Sequence, residues 1–252
     1  MSRIFKISRL FIHIIKALYL YVRYFYTTKP DIQGFSEFQL DLMKQWFAQV
    51  LNILNIEVIT TKPINIHAAP KVYVANHISW LDIVVIGQFI SLRFIAKSEV
   101  ASWPVINRLA SKAGAIFIRR GKAADMKNVA EKVNNVFKLK ENVAFFPEGK
   151  TSCGDSLLPI FSGLFQIAID NKTAVVPMIL SYDDGSYPAT QLPFVGEQSL
   201  MANVWKICGL SKIKVYLSAG DEINTEAKER KALANQVSKQ MNEMLKEQLG
   251  QE

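Results

Sequence analysis

Apolar residues fill most of the helical circumference from Ile4 to Tyr26, while Lys6, Arg9, His13, Lys16 and Arg23 fall within roughly 100° of one another. The spacing predicts an amphipathic helix of about 34 Å with one basic stripe. Thr27–Gly34 is rich in turn formers and reads as a hinge. The stretch from Phe35 to Leu54 repeats the helical period, with apolar residues at 35, 38, 42, 43, 46, 47, 50, 51 and 54. Beyond residue 56 the pattern changes to short β-rich runs: Glu57–Thr61, Lys71–Ala75, Arg93–Ala96, Ala115–Arg119, Asn142–Phe146, Val175–Tyr182 and Lys212–Leu217. Helical patterns at 80–90, 104–112, 123–139 and 162–170 separate them. A final helix over 224–248 carries Leu233, Val237, Met241 and Leu245 on successive turns. Strands alternating with helices predict an α/β fold: a mainly parallel sheet flanked by helices. The predicted units are an interfacial helix and hinge over 1–34 and an α/β domain over 35–252. Residues 183–195 read as a loop excursion.

Charge changes the picture of the first segment. The 252 residues carry 30 bases against 22 acids, but residues 1–30 hold six bases and no acid. The remaining chain is nearly neutral, which argues against a nucleic-acid partner. No uncharged run approaches the ~20 apolar residues that span a bilayer, and charges interrupt any signal-peptide core. A basic stripe beside a wide apolar face suits an anionic membrane surface, with the protein monotopic on the cytoplasmic face of the inner (plasma) membrane. The alternative is a core helix packed on the body. Two cysteines, Cys153 and Cys208, exclude a disulfide scaffold and suit a reducing compartment.

Three histidines narrow the search for a base. His13 lies on the N-terminal helix and His67 in a Pro- and Asn-rich connection. His77 stands in Val74-Ala-Asn-His-Ile-Ser-Trp-Leu-Asp82, where a strand ends and a helix begins. Ser79 is placed to cap that helix, and Asp82 lies in its first turn. Side chains there lean toward the N-terminus, so the Asp82 carboxylate reaches an imidazole just ahead of the helix. A carboxylate on one ring nitrogen raises basicity and leaves the other free to take a hydroxyl proton. The competing reading is that Asp82 only caps the helix. Asn142-Val-Ala-Phe-Phe-Pro-Glu-Gly149 is a second strand that delivers Glu148 to the same sheet edge. Gly114-Ala-Ile-Phe-Ile-Arg-Arg120 ends in two guanidinium groups suited to a phosphate.

These blocks resemble the glycerolipid acyltransferases of the lysophosphatidate acyltransferase type. The hallmarks are N-H-x-x-x-x-D, G-x-x-F-I-x-R, F-P-E-G and a V-P segment, here Val176-Pro177, across roughly residues 70–220. The resemblance implies transfer of a fatty acyl group from acyl-CoA or acyl carrier protein to a lysolipid hydroxyl, without metal or cofactor. By position it implies His77 as general base and Asp82 as its orienting partner. Arg120 would bind the acceptor phosphate beside Phe117, while Glu148 and Gly149 would hold a glycerol-like part. Substrate contact is expected also from Asn76, Ser79, Phe146, Pro147 and Lys150. One departure concerns the acceptor: Gly149-Lys-Thr-Ser152 puts threonine where a second arginine commonly stands. The expected acceptor is 1-acyl-glycerol-3-phosphate. Leu158-Pro-Ile-Phe-Ser-Gly-Leu-Phe165 is similar to a stretch of lyso-ornithine lipid acyltransferases, which keeps that acceptor as an alternative. A non-catalytic lipid-binding protein is an alternative of another class.

Other matches lack context. Gly154-Asp-Ser-Leu157 spells a serine-esterase signature, but no histidine follows His77 to complete the triad. Gly149-Lys-Thr151 mimics a phosphate-binding loop whose first glycine is Ala144 here. Cys153 has no histidine to spare as a partner.

Overall fold

The sheet is built around its most continuously apolar run. In the computed structural model, which describes residues 2–29, 33–61, 64, 70–98, 104–119 and 123–250, that run is strand β6, Val175–Asp183. The other strands are β1 (Ile56–Thr60), β2 (Val72–Ala75), β3 (Leu92–Lys97), β4 (Ile116–Ile118), β5 (Asn142–Phe145) and β7 (Ile213–Ala219). They form one seven-stranded sheet in the order β1-β7-β6-β2-β5-β3-β4. All described neighbours are parallel except β6 and β7, which run antiparallel. Eight of the nine residues of β6 are buried, because helices cover both faces of the sheet.

The helices are α1 (Arg3–Leu20, continued by a π-turn at Tyr21–Phe25), α2 (Glu37–Leu54), α3 (Leu81–Phe89), α4 (Pro104–Lys112) and α5 (Ala123–Lys138). Then follow α6 (Phe165–Asp170), α7 (Leu200–Gly209) and α8 (Arg230–Leu249). Side-chain parity divides the core. Val72 and Val74 of β2 face one layer with α5, α6 and α8, and Tyr73 and Ala75 face the other with α2, α3 and α7. Likewise Val176, Met178, Leu180 and Tyr182 of β6 all belong to the α3 side.

Three elements depart from the sequence expectation. Helix α7 stands where no helix is predicted; the Ser199 hydroxyl accepts from Ala202 N and caps it. The last helix starts at Arg230, since Thr225 and Ala227 belong to a turn in which Ala227 takes φ 54°. The third concerns α1, whose basic stripe does not all face outward. Lys6 is 1% exposed, and its ammonium donates to the carbonyls of Leu54 at 2.9 Å and Leu210 at 2.7 Å. These carbonyls end α2 and α7, so one cation meets two negative helix ends. Burial lowers the Lys6 pKa, with a weaker opposing effect from Cys208. His13 is also buried, with its ring stacked on Trp46 at 5.0 Å and Nε2 donating to Trp46 O at 3.0 Å. Outward instead point Ile4, Phe5, Phe11, Ile12, Ile15 and Tyr19. The helix thus packs on α2 and α7 through a face that buries Lys6, Leu10, His13 and Ala17, and leaves other apolar side chains uncovered.

No described helix is long and apolar enough to cross a membrane. His67, the predicted phosphate contact Arg120 and the middle of the Thr27–Gly34 hinge lie outside the described residues.

Candidate active site

Adjacent parallel strands β2 and β5, in register at Val74 and Phe145, end side by side and bring Asn76-His77 next to Phe146-Pro147-Glu148-Gly149. Asn76 prolongs the sheet where the main chains part. Its Nδ2 donates to Leu180 O at 2.9 Å, and its Oδ1 accepts from Leu180 N at 2.8 Å. Asn76 is 1% exposed and braces β2 against β6.

The chain then turns into α3 and forms the expected pair: His77 Nδ1 lies 2.7 Å from Asp82 Oδ2. A carboxylate only accepts, which assigns the Nδ1 proton to this bond and leaves Nε2 with its lone pair. The same Oδ2 accepts from Ile78 N at 2.7 Å and Ser79 N at 2.9 Å. Asp82 therefore both caps the turn and holds the imidazole; the two readings of the spacing are compatible. Its Oδ1 accepts from the Tyr182 hydroxyl at 2.7 Å. Ser79 is fully buried, its hydroxyl accepting from Leu81 N at 3.5 Å. The His77 side chain keeps 21% of its surface exposed while Asp82 keeps none.

The Phe-Pro-Glu-Gly turn supports His77 from the other side. Phe146 stacks on the imidazole with centroids 4.0 Å apart and planes 9° from parallel, and Phe94 stacks behind Phe146 at 5.9 Å. Phe146 thus fixes the ring plane. Glu148 Oε1 accepts from His77 N at 2.7 Å and Oε2 from Leu158 N at 2.9 Å. With 1% exposure and both oxygens occupied, Glu148 clamps the backbone of His77 to that of Leu158. Burial pushes the Glu148 pKa up, partly opposed by the two N–H bonds. Pro147 is buried and its carbonyl accepts from Phe161 N at 2.9 Å, folding the Leu158–Phe165 stretch against the turn. Gly149 is needed at φ 69°, where its N–H bonds back to Phe146 O at 3.1 Å.

Beyond the turn, His77 O accepts from Ser152 N at 2.7 Å. Gly154, at φ 82°, lies so close to Ile78 that an added Cβ would stand 2.6 Å from Ile78 Cδ1. Phe194 N donates to Ile78 O at 2.9 Å, and the Thr151 hydroxyl donates to Phe194 O. Thr151 is thus a fastener for the 192–195 segment. Lys150 is exposed and, with Lys97, Glu148, Gly149, Leu158, Pro159 and Phe161, lines a cavity of about 370 Å³. Lys97 escapes the sequence reading; its one signal is a position at the end of β3, on the edge that also carries His77. Phe117 is half-buried on β4, and the neighbouring Arg119 turns to Asp125 at 3.1 Å. A larger depression of about 680 Å³ opens at the opposite sheet edge, around Lys71 and Glu222; His77 and Asp82 line neither cavity. Among the described residues no cluster of histidine, cysteine and carboxylate side chains could hold a metal ion.

A hydroxyl placed at Nε2 can lose its proton there as the oxygen attacks a carbonyl, and the paired carboxylate stabilises the resulting imidazolium. Known proteins resemble the chain in sequence and in fold. The Acyltransferase family model matches residues 55–181. The chain is 32% identical over 195 residues to a lyso-ornithine lipid O-acyltransferase of Pseudomonas aeruginosa, covering 77% of this chain and 74% of that one. It is 33% identical over 191 residues to a 1-acyl-sn-glycerol-3-phosphate acyltransferase of Neisseria meningitidis serogroup B, covering 75% and 74%. In fold it is similar to the crystal structure of the 1-acyl-sn-glycerophosphate acyltransferase PlsC from Thermotoga maritima, with a TM-score of 0.68, 19% identity and coverage of 96% and 97%.

Proposed function

The chain belongs to the Acyltransferase family, and on that premise we propose that it moves a fatty acyl group from acyl-CoA or acyl carrier protein to the hydroxyl of 1-acyl-glycerol-3-phosphate, giving phosphatidate. It is an O-acyltransferase of lysolipids. The observation that carries the mechanism is the 2.7 Å pair of a part-exposed His77 and a wholly buried Asp82, opening on the edge that holds the Lys97 and Lys150 cavity. His77 Nε2 takes the acceptor proton while the acceptor oxygen bonds to the thioester carbon. The tetrahedral intermediate collapses, the carbon–sulfur bond breaks, and the imidazolium returns its proton to the departing thiolate. A base of this kind contributes about 10²–10⁴ in rate, and positioning supplies more. Lys97 and Lys150 offer charge to the acceptor phosphate. They also suit another anionic head group, and the lyso-ornithine acceptor stays a competing substrate because Thr151 contributes no cation.

The apolar residues exposed on α1 enter the surface of an anionic membrane on the cytoplasmic side, with Lys16 and Arg23 toward the head groups. Two experiments test the reading. Purified protein with anionic vesicles, given acyl-CoA and acyl carrier protein donors against several lysolipids including lysophosphatidate and lyso-ornithine lipid, should turn over at least one pair. His77→Ala should abolish that turnover while vesicle binding persists. Cellular function preserved without turnover would instead support a lipid-binding protein. Replacing Phe11, Ile12 and Ile15 together by serine should release the protein from sedimenting vesicles; equal sedimentation refutes the α1 contact.

A further inference from the structure

Asp82 accepts four hydrogen bonds, and they divide unequally between its oxygens. Oδ2 takes three, all from His77, Ile78 and Ser79 close by in sequence. Among the described residues Oδ1 has one donor, the Tyr182 hydroxyl at 2.7 Å, brought from β6. Tyr182 is 1% exposed and packs with the apolar layer on the α3 side of the sheet, so it touches no substrate. A phenylalanine would fill that slot equally well, and a buried hydroxyl is costly unless it is bonded. What distinguishes tyrosine here is the bond to the carboxylate. Burial, then the Asp82 charge, raises the Tyr182 pKa well above the usual phenol range, so the hydroxyl remains a donor at working pH.

We propose that Tyr182 is a positioning residue for the acyl transfer: its hydroxyl holds Asp82 Oδ1, fixes the carboxylate so that Oδ2 faces His77 Nδ1, and tunes how readily His77 Nε2 takes the acceptor proton. The proposal rests on His77 being the base. A donor on Oδ1 draws charge from the carboxylate; removing it leaves Oδ2 more negative and the imidazolium better stabilised, but the carboxylate less firmly oriented. Among the described residues the ionisable groups bonded at His77 are Asp82 from α3, Glu148 from the turn after β5, and Tyr182 from β6 through Asp82, with Lys97 and Lys150 lining a cavity beside Glu148. Glu148 keeps its partners His77 N and Leu158 N whatever stands at 182.

The test is the pH dependence of kcat and KM for the full chain with acyl-CoA and lysophosphatidate in vesicles. Tyr182→Phe should lower kcat by roughly 10- to 100-fold, leave the acceptor KM within about twofold, and move the acid limb of kcat/KM to higher pH. Placing 3-fluorotyrosine at 182, a stronger donor of nearly the same size, should move that limb to lower pH, and it keeps the test open should the phenylalanine variant fold poorly. A hydroxyl with only a structural role would move neither limb. In an Asp82→Asn background Tyr182→Phe should cost less than about twofold, since the charge it acts on is gone. Unmoved limbs, or a full effect of Tyr182→Phe without the Asp82 charge, overturn the proposal. Retained turnover in His77→Ala would instead overturn the base assignment beneath it. Loss of turnover there, with Tyr182 variants titrating as wild type, would defeat the proposal alone.

Discussion

His77 and His13 each have one ring nitrogen bonded, His77 part-exposed and His13 buried, yet their surroundings suit opposite uses. At the sheet edge the bonded nitrogen faces a buried carboxylate, the side chain keeps 21% of its surface exposed, and an aromatic ring holds the plane. Under α1 the bonded nitrogen faces the Trp46 carbonyl, and among the described residues no acid pairs with the ring. Burial lowers the His13 pKa; the Trp46 carbonyl opposes this, and Lys16 adds to it. A partner that carries full negative charge prepares an imidazole to receive a proton, whereas a carbonyl partner with desolvation prepares it to stay neutral. Burial and a hydrogen bond therefore do not by themselves mark a base. The charge of the partner and an open second nitrogen do.

The hardest test of that contrast is paired replacement. His77→Ala should lower kcat by about 10²–10⁴ with little change in the unfolding midpoint, while His13→Ala should leave kcat within a few-fold and loosen the α1–α2 contact. A large kcat loss in the His13 variant, measured in detergent where membrane docking is bypassed, would erase the distinction. Next in size are the cations of the cavity. Lys97→Ala and Lys150→Ala should each raise the acceptor KM by roughly tenfold for a phosphate-bearing lysolipid, through loss of a charge-assisted bond, and leave kcat nearly unchanged. The increase should shrink at high salt, and an unchanged KM in both variants would remove the head group from this cavity.

How far the chain could be read in advance follows the same line. Strand and helix periods are local, so all seven strands fall within a few residues of the expected runs, and the His77–Asp82 spacing already implies the 2.7 Å pair. Helix α7 is the exception: it is short and follows directly on a long loop, and Ser199 before Leu200 is its cap signal. A helical wheel gives angles between residues but not which side meets the body. Lys6 accordingly turns inward to carbonyls of Leu54 and Leu210, more than forty positions away, that no local pattern connects to it. Asn76, Ser79 and Glu148 show a related limit. Polar residues in a chemical motif look like ligand contacts until their partners are known, and here those are backbone groups. Tyr182 meets Asp82 only because β6 runs beside β2, a fact of strand order.

The smallest predicted effect separates the two regions by sign. Glu148 at the sheet edge has its pKa raised by burial, so the folded state favours its protonated form. Its contribution to stability is complete below the ordinary carboxylate range and is lost as pH rises through the higher folded value. His13 under α1 has its pKa lowered by burial, so the folded state favours its neutral form. Its contribution is complete above the ordinary imidazole range and is lost as pH falls through the lower folded value. Glu148→Gln and His13→Gln remove these dependences one at a time. Thermal unfolding between about pH 4 and 8 should show the Glu148 variant gaining on wild type as pH rises through the carboxylate range. The His13 variant should gain on wild type as pH falls below the ordinary imidazole value. Equal slopes, or slopes of the same sign, would mean that burial does not act on these two groups as their contacts require, and the contrast between the acid-backed edge and the carbonyl-backed helix would fail.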